Sequence, residues 1–397
     1  MTKNQKIEEI LNRGVEEIID KKNLKKKLNS NKKLRIKYGI DPTGPKIHIG
    51  RAISLWKLKQ FQNLGHKIVL IIGDFTAQIG DASDKDAMRK PLTEKEVRKN
   101  MKDYREQIGK ILDIKKVEFR YNSEWLSRLT AKDLMSLEMN FTAQQLIQRR
   151  NFKERWDNRK PIGLHELNYP LLQGYDSVAV KADVEIGGFD QLFNLKAGRD
   201  IQKIFGQKPQ DIMATKMLYG LDGRKMSTSW GNIITIVDSA NEMFGKIMSM
   251  KDELILDYFK LCTQISMKKV NEIKKDLESK EMSPRDAKEM LAKEIVTMYH
   301  SKTAAGKAEK EFNQIFKEKK APSKIPIFVI VQKEYPPLDL LFTLKLANSK
   351  NEAKRIIRQG GLKIDGKIER DWKTPIRIKN NMILKVGKRK FTKIRTS

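Results

Sequence analysis

The chain has 397 residues, enough for two or three domains, and its 81 Lys and Arg against 50 Asp and Glu give a formal charge of +31. Its one cysteine, Cys262, excludes an intrachain disulfide and any multi-cysteine zinc site, and four scattered histidines argue against a His-rich metal cluster, so no structural metal is expected. No apolar run approaches the roughly 20 residues of a bilayer span, and the mixed-charge opening "MTKNQKIEEILNRGVEEIID" has no signal-peptide core, so a cytoplasmic protein without a membrane partner is expected.

Residues 1–33 read as a helix followed by a lysine-rich turn. "LRIKYGI" (34–40) and "KIVLIIGDF" (67–75) are apolar runs with β-branched residues, the pattern of buried parallel strands. Between them, residues 48–64 have helical spacing (Ile49, Ile53, Trp56, Leu58, Phe61, Leu64) and stop at Gly65, a helix-ending glycine. This βαβ unit predicts an α/β fold with a Rossmann-type, doubly wound parallel sheet. "VEFRYNSEWL" (117–126) reads as strand and turn, 130–150 as helix, and "VKADVEIGGFDQLFN" (180–194) as a short strand ending in a Gly-Gly turn. From 238 to 320 the pattern is helical, with a Ser283 cap and Pro284 opening "SPRDAKEMLAKEIVTMYH" (283–300). "KEKKAPSKIPIF" (317–328) has linker composition, and the chain beyond it forms a small α+β unit. The expected divisions are a catalytic domain over 1–237, a helical domain over 238–320, a linker over 321–335 and a small domain over 336–397.

The positive charge fits a polyanionic partner or a lysine-rich coding bias. Residues 321–397 hold 19 Lys and Arg against 6 Asp and Glu, and this concentration favours a nucleic-acid module at the C-terminus. There the run 350–358 places Ala353, Ile356 and Ile357 on one helical face and Lys354, Arg355 and Arg358 on the other. Gly360-Gly361 ends it, and "LKIDGKI", with Lys363, turns at Asp-Gly.

Three stretches carry chemistry. In "KYGIDPTGPKIHIGR" (37–51) a strand gives way to a helix, where unpaired N–H groups favour anions. Thr43 and His48 can donate to phosphate oxygens there, and Gly50 permits close approach to the helix backbone. "GLDGRKMSTSWGN" (220–232) combines a glycine-rich turn, Arg224 and Lys225, and three hydroxyls, a loop suited to polyphosphate. "YPLLQGYDSV" (169–178) sets Tyr169, Gln173 and Asp176 at i, i+4 and i+7 on one helical face. Each has a plainer reading taken alone: a solvent-facing histidine, a solvated basic turn, a half-buried helix face. Buried unpaired, however, Gln173 and Asp176 would be costly, and a polar substrate would satisfy them.

"HIG" followed by "KMSTS" resembles the paired motifs of class I aminoacyl-tRNA synthetases. With "YPLLQGYDSV", "GGFDQ" (187–191) and "IGDASDKDAMRKPLT" (79–93), the chain resembles the bacterial tyrosyl-tRNA synthetases over nearly its whole length. The resemblance implies that tyrosine and ATP form tyrosyl-adenylate, and that the tyrosyl group passes to the 3′-terminal ribose of tRNA(Tyr). Asp176 would accept the substrate phenol, Asp81, Tyr169 and Gln173 would hold its ammonium, and Gln191 would lie near its carboxylate. Thr43 and His48 would contact the outer phosphates, and Lys85, Arg89 and Lys225 would close over pyrophosphate. Asp41, Gly50, Arg51, Gly188, Asp190, Met226, Ser227 and Ser229 would complete the ATP site, with Asp190 on the ribose and Mg²⁺ on the phosphates.

The same resemblance implies a homodimer and a helical anticodon-reading domain. It also implies a small RNA-binding domain, shared with a ribosomal small-subunit protein, using Lys354, Arg355, Arg358 and Lys363. Three positions depart from the family pattern: Arg51 replaces a second histidine, Thr228 a second lysine, and Phe189 a small hydroxyl residue. Lys37 stands near a position where one branch has a tyrosine on the substrate hydroxyl, so the hydroxyl contact is expected to rest on Asp176. The alternatives are the sibling tryptophanyl-tRNA synthetase and a noncatalytic RNA-binding paralogue.

Overall fold

In the computed structural model, which describes residues 2–81, 91–226, 230–316, 325–347, 349–387 and 390–396, the two apolar runs form adjacent interior strands of a six-stranded sheet. Its strands are β1 (Val15–Ile19), β2 (Arg35–Ile40), β3 (Lys67–Ile72), β4 (Val117–Tyr121), β5 (Val184–Gly188) and β6 (Asp211–Thr215), in the order β1-β6-β5-β2-β3-β4. Neighbours are parallel except for β1, which lies antiparallel to β6 at the sheet edge. The order runs outward in one direction from β2 and in the other from β5, so the carboxyl ends of these two strands form the topological switch point.

Helix α1 (Ile49–Asn63) carries the chain from β2 to β3 and buries Ile49, Ile53, Leu58 and Phe61. Gly65, at φ 89°, turns the chain where other residues would be strained. Helices α2 (Leu164–Ala179) and α3 (Leu192–Ile204) pack side by side. A Cβ at Gly174 would lie 3.2 Å from the Cα of Gly198, so two facing glycines permit the close crossing.

Two elements differ from the sequence expectation. The first 33 residues contain not only a helix (Lys3–Asn12) but also β1 and a second helix (Lys21–Asn29). Residues 130–150 break into Ala131–Glu138 and Ala143–Ile147, because Thr142 accepts a hydrogen bond from the Gln145 backbone and starts a new helix. Further on come Ala240–Met248, Ile255–Cys262, Met267–Glu278 and Pro284–Tyr299, the last capped by Ser283 with Pro284 in its first turn.

The chain divides into two compact units, Met1–Gly306 and Lys307–Ser397. In the second, β7 (Ile327–Ile330), β9 (Leu362–Ile364), β10 (Lys367–Glu369), β12 (Ile383–Val386) and β13 (Lys390–Thr396) form one sheet. The short strands β8 (Glu334–Tyr335) and β11 (Ile376–Arg377) pair separately. Helix α4 (Lys350–Arg358) presses Ala353 and Ile357 into a core with Leu340, Leu362, Leu384 and Ile394. Asp365 and Gly366, at φ 48° and 86°, make the tight β9–β10 hairpin. Among the described residues no helix is long and apolar enough to cross a membrane.

Candidate active site

A cleft of about 260 Å³ opens at the carboxyl ends of β2 and β5. Fourteen residues expected in the site line it: Asp41, Thr43, His48, Gly50, Arg51, Asp81, Tyr169, Gln173, Asp176, Gly188, Asp190, Gln191, Lys225 and Met226. Lys85, Arg89, Ser227 and Ser229, and the variant position Thr228, lie outside the described residues. Phe189 is not among the lining residues and is 41% exposed.

At the end of β2, Asp41 turns inward. Its carboxylate accepts hydrogen bonds from Tyr169 Oη and Thr76 Oγ1, both at 2.8 Å, and burial pushes its pKa up to about 6. This carboxylate, expected on the nucleotide, lines the cleft and holds Tyr169 in place. Gly73 makes room for it, since a Cβ there would meet Asp41 Oδ1 at 2.0 Å. Arg51 also works within the protein: it donates to Thr43 Oγ1 (2.8 Å) and the Asp41 carbonyl (2.9 Å). The longer side chain that replaces a histidine therefore braces the loop carrying Thr43.

His48 caps the start of α1 without a side-chain capping bond, and its buried Nδ1 has no hydrogen-bond partner. Burial, helped by the Arg51 charge, pushes its pKa down to about 3, so the imidazole is neutral at working pH. The segment is pinned by backbone bonds from Ile49 N–H to Ile234 and from Ile236 N–H to Ile47, both 2.9 Å. A Cβ on Gly50 would sit 2.8 Å from Met226 Sδ and 3.0 Å from His48 Nδ1. The two sequence motifs thus touch, and the glycine makes that contact possible.

The second motif opens with a turn held by Asn232, which donates to Asp222 Oδ1 (2.8 Å) and the Lys225 carbonyl (3.0 Å). Arg224 is neutralised by Asp222 at 2.5 Å and stacks on Trp230, 4.6 Å from the ring centroid. Of this motif's two adjacent cations, Lys225 lines the cleft, 3.9 Å from Asp190 Oδ2.

Along α2, Tyr169, Gln173 and Asp176 share the cleft-facing side, as their spacing requires. Gln191 donates to Asp81 Oδ2 (2.7 Å), and Asn194 donates to both Gln191 Oε1 (2.9 Å) and Gln173 Oε1 (3.0 Å). Asp176 is buried and accepts from Trp125 Nε1 at 2.8 Å and, more weakly, from Asn122 Nδ2 at 3.4 Å. Burial pushes its pKa up to about 7, against the opposing pull of Lys37. A carboxylate has about four acceptor sites, so a further donor can still be received.

Sequence reading missed the supporting groups Thr76, Asn122, Trp125 and Arg149. Arg149 is buried between the rings of Phe152 and Phe193, with Nη2 3.6 Å from Asp81 Oδ1. Asn122 and Trp125 lay in the quoted "NSEW", but nothing local told that this turn would meet α2. In the second unit, Arg355 and Arg358 are exposed on α4, Lys363 is half-buried, and Lys354 covers the Trp372 ring, Nζ 4.0 Å from its centroid. Among the described residues no group of three or more His, Cys, Asp or Glu side chains is arranged to hold a metal ion.

Residues 4–317 match the family described as tRNA synthetases class I (W and Y), and residues 338–383 match the S4 domain. A tyrosine–tRNA ligase from Carboxydothermus hydrogenoformans is 47% identical over 403 aligned positions, covering 97% of each chain. One from Thermotoga maritima is 44% identical, covering 99% of this chain and 98% of its own. Among solved structures, the tyrosyl-tRNA synthetase of Archaeoglobus fulgidus complexed with L-tyrosine has a TM-score of 0.62 at 24% identity, covering 78% of this chain and all of its own. A C-terminally truncated mitochondrial enzyme from Aspergillus nidulans scores 0.64 at 20% identity, covering 78% and 94%. These two likenesses speak to the fold.

Proposed function

The chain belongs to the class I tRNA synthetases for tryptophan and tyrosine, and from that premise we propose that it activates L-tyrosine with ATP and charges tRNA(Tyr). The observation that carries the choice of tyrosine is Asp176, a buried carboxylate in the cleft wall with two fixed donors and acceptor capacity left over. A phenol hydroxyl fills that capacity. Phenylalanine would leave the buried group short of a partner, which is a strong basis for rejection.

The tyrosine carboxylate attacks the α-phosphorus of ATP, a P–O bond forms, and the bond to pyrophosphate breaks. The terminal ribose hydroxyl of the tRNA then attacks the tyrosyl carbonyl and AMP leaves. Asp81, Gln173 and Tyr169 receive the ammonium, and Gln191 lies beside the carboxylate. Asp190 takes the ribose. Neutral His48 and Thr43 donate to the outer phosphates, Thr43 being held by Arg51. Lys225, with Lys85 and Arg89, receives the negative charge that grows on the leaving pyrophosphate. Gly50, Gly188, Met226, Ser227 and Ser229 complete the nucleotide side, and ATP enters as its magnesium complex. Positioning and charge stabilisation account for this catalysis, with no covalent enzyme intermediate.

Helices in 238–320 would read the anticodon, and the basic face of α4 with Lys363 would grip RNA phosphates. Met135, Met139, Trp156 and Leu164 are exposed apolar side chains, and we assign them to a homodimer interface. A single, buried Cys262 suits the reducing cytoplasm, where we place the reaction. The test is charging of bacterial tRNA with labelled amino acids. Transfer of tyrosine supports the reading; transfer of tryptophan instead, or of neither, overturns it.

A further inference from the structure

Beneath the amino-acid end of the cleft lies an ion pair that no step above uses. Lys37 and Glu185 are direct partners across the parallel pair β2–β5, their side chains 0% and 2% exposed and 2.8 Å apart. Glu185 lines the cleft, and Lys37 is absent from its lining. Buried pairs of this kind are weak contributors to stability, because desolvation offsets their attraction, so the pair calls for another reason.

Its hydrogen bonds supply one. The Lys37 ammonium has three donors, and three acceptors meet them: Glu185 Oε1, the Gln173 carbonyl at 2.9 Å and Ser177 Oγ at 2.8 Å. Gln173 and Ser177 flank Asp176 on one turn of α2. Glu185 in turn accepts from Gln173 Nε2 at 3.3 Å, from Ser177 Oγ at 3.1 Å and from Gln210 Nε2. Gln173 is therefore held at its backbone by one charge and at its side chain by the other. Its Oε1, shared with Asn194, is left toward the cleft.

We propose that Lys37 and Glu185 are paired positioning residues that fix Gln173 and Asp176 for recognition of the amino acid. The proposal rests on the tyrosine reading above. It has an electrostatic consequence, because the two charges act on Asp176 with opposite signs: Lys37, from β2, favours its carboxylate, and Glu185, from β5, disfavours it. The other groups facing Asp176 are the donors Trp125 and Asn122 from the segment after β4, with the Arg120 guanidinium over the Trp125 ring, and Tyr169 on α2 itself.

The test is the pH profile of kcat/KM for tyrosine in ATP–pyrophosphate exchange, for the full chain and for Lys37→Met, Glu185→Gln and the double variant. That ratio reports ionisations of the free enzyme. Lys37→Met should move the acid limb up by about one pH unit, and Glu185→Gln should move it down by about as much. The double variant should lie between them. At pH 7, Lys37→Met should raise KM for tyrosine about fivefold, with kcat at saturating tyrosine nearly unchanged, and much of the loss should be recovered at pH 9. Glu185→Gln keeps size and an acceptor for Lys37, so it carries the test alone should Lys37→Met fail to fold. Limbs that stay put, or that move in the same direction in both single variants, would overturn the clamp. Wild-type chain that exchanges no tyrosine would overturn the functional reading and the clamp with it, which separates the two failures.

Discussion

Replacing Asp176 by asparagine should stabilise the protein while it removes activity. Asp176 is held at a pKa of about 7 in the folded chain, against an ordinary value of 3.8, chiefly because burial disfavours its charge. The sign follows directly: for an acid whose folded value is raised, the native state binds more protons than the unfolded state between the two values, and stability falls as pH rises through that window. Above pH 7 both states carry the charge and the penalty is fully present. Below pH 3.8 both are protonated and it is gone.

Three pH units correspond to about 4 kcal/mol. Asparagine keeps an oxygen for Trp125 Nε1 but presents its amide to Asn122, whose bond at 3.4 Å is already weak, so about 1 kcal/mol is lost. The variant should therefore exceed the wild type by about 3 kcal/mol at pH 8 and by nearly nothing at pH 5, where the penalty is only about 1–2 kcal/mol. Urea unfolding of both proteins at the two pH values, followed by tryptophan fluorescence, measures the gap. A gap of equal size at both pH values, or a less stable variant at pH 8, would refute the assignment of a desolvated carboxylate. Loss of tyrosine exchange in the same preparation would show that the strain is kept for function.

His48→Ala should lower single-turnover adenylate formation by roughly 10²–10³, the usual loss of one fixed donor to growing charge, with little change in tyrosine binding. Because His48 is pushed down to about 3, its titration should leave no limb in the rate between pH 5 and 8; unchanged single-turnover activation would remove it from the site. Gly50→Ala places a methyl 2.8 Å from Met226 Sδ and should raise KM for ATP about tenfold while tyrosine KM stays within twofold. Equal effects on both substrates would contradict the contact between the two motifs. Changing Arg355 and Arg358 to glutamine should weaken tRNA charging and flatten its salt dependence while sparing pyrophosphate exchange. Parallel loss of both activities would argue against a separate RNA-binding role.

Much of this was legible in the sequence, for physical reasons that also mark where it stopped. β2 and β3 are buried on both faces and read as continuous apolar runs, so the βαβ unit and the phosphate-facing seam could be placed. β1 could not: "VEEII" carries two glutamates at a half-exposed edge, and its register slips between Val15 and Glu17. The break in 130–150 did have a local signal, Thr142 followed by Gln145. Residues that would touch substrate came from compact motifs. Their supports came from distant elements, as Arg51 to Thr43, Trp125 to Asp176 and Lys37 to Glu185 show. A lone lysine in one buried strand and a lone glutamate in another become a pair only when the sheet order makes the strands neighbours.

If this cleft activates tyrosine and selects it through Asp176, the most direct measurement is ATP–pyrophosphate exchange with the purified chain, run in parallel with tyrosine, tryptophan, phenylalanine or no amino acid. Exchange with tyrosine, and background rates for the other three, is the predicted result. Exchange driven by tryptophan alone, or none with any of them, would contradict it.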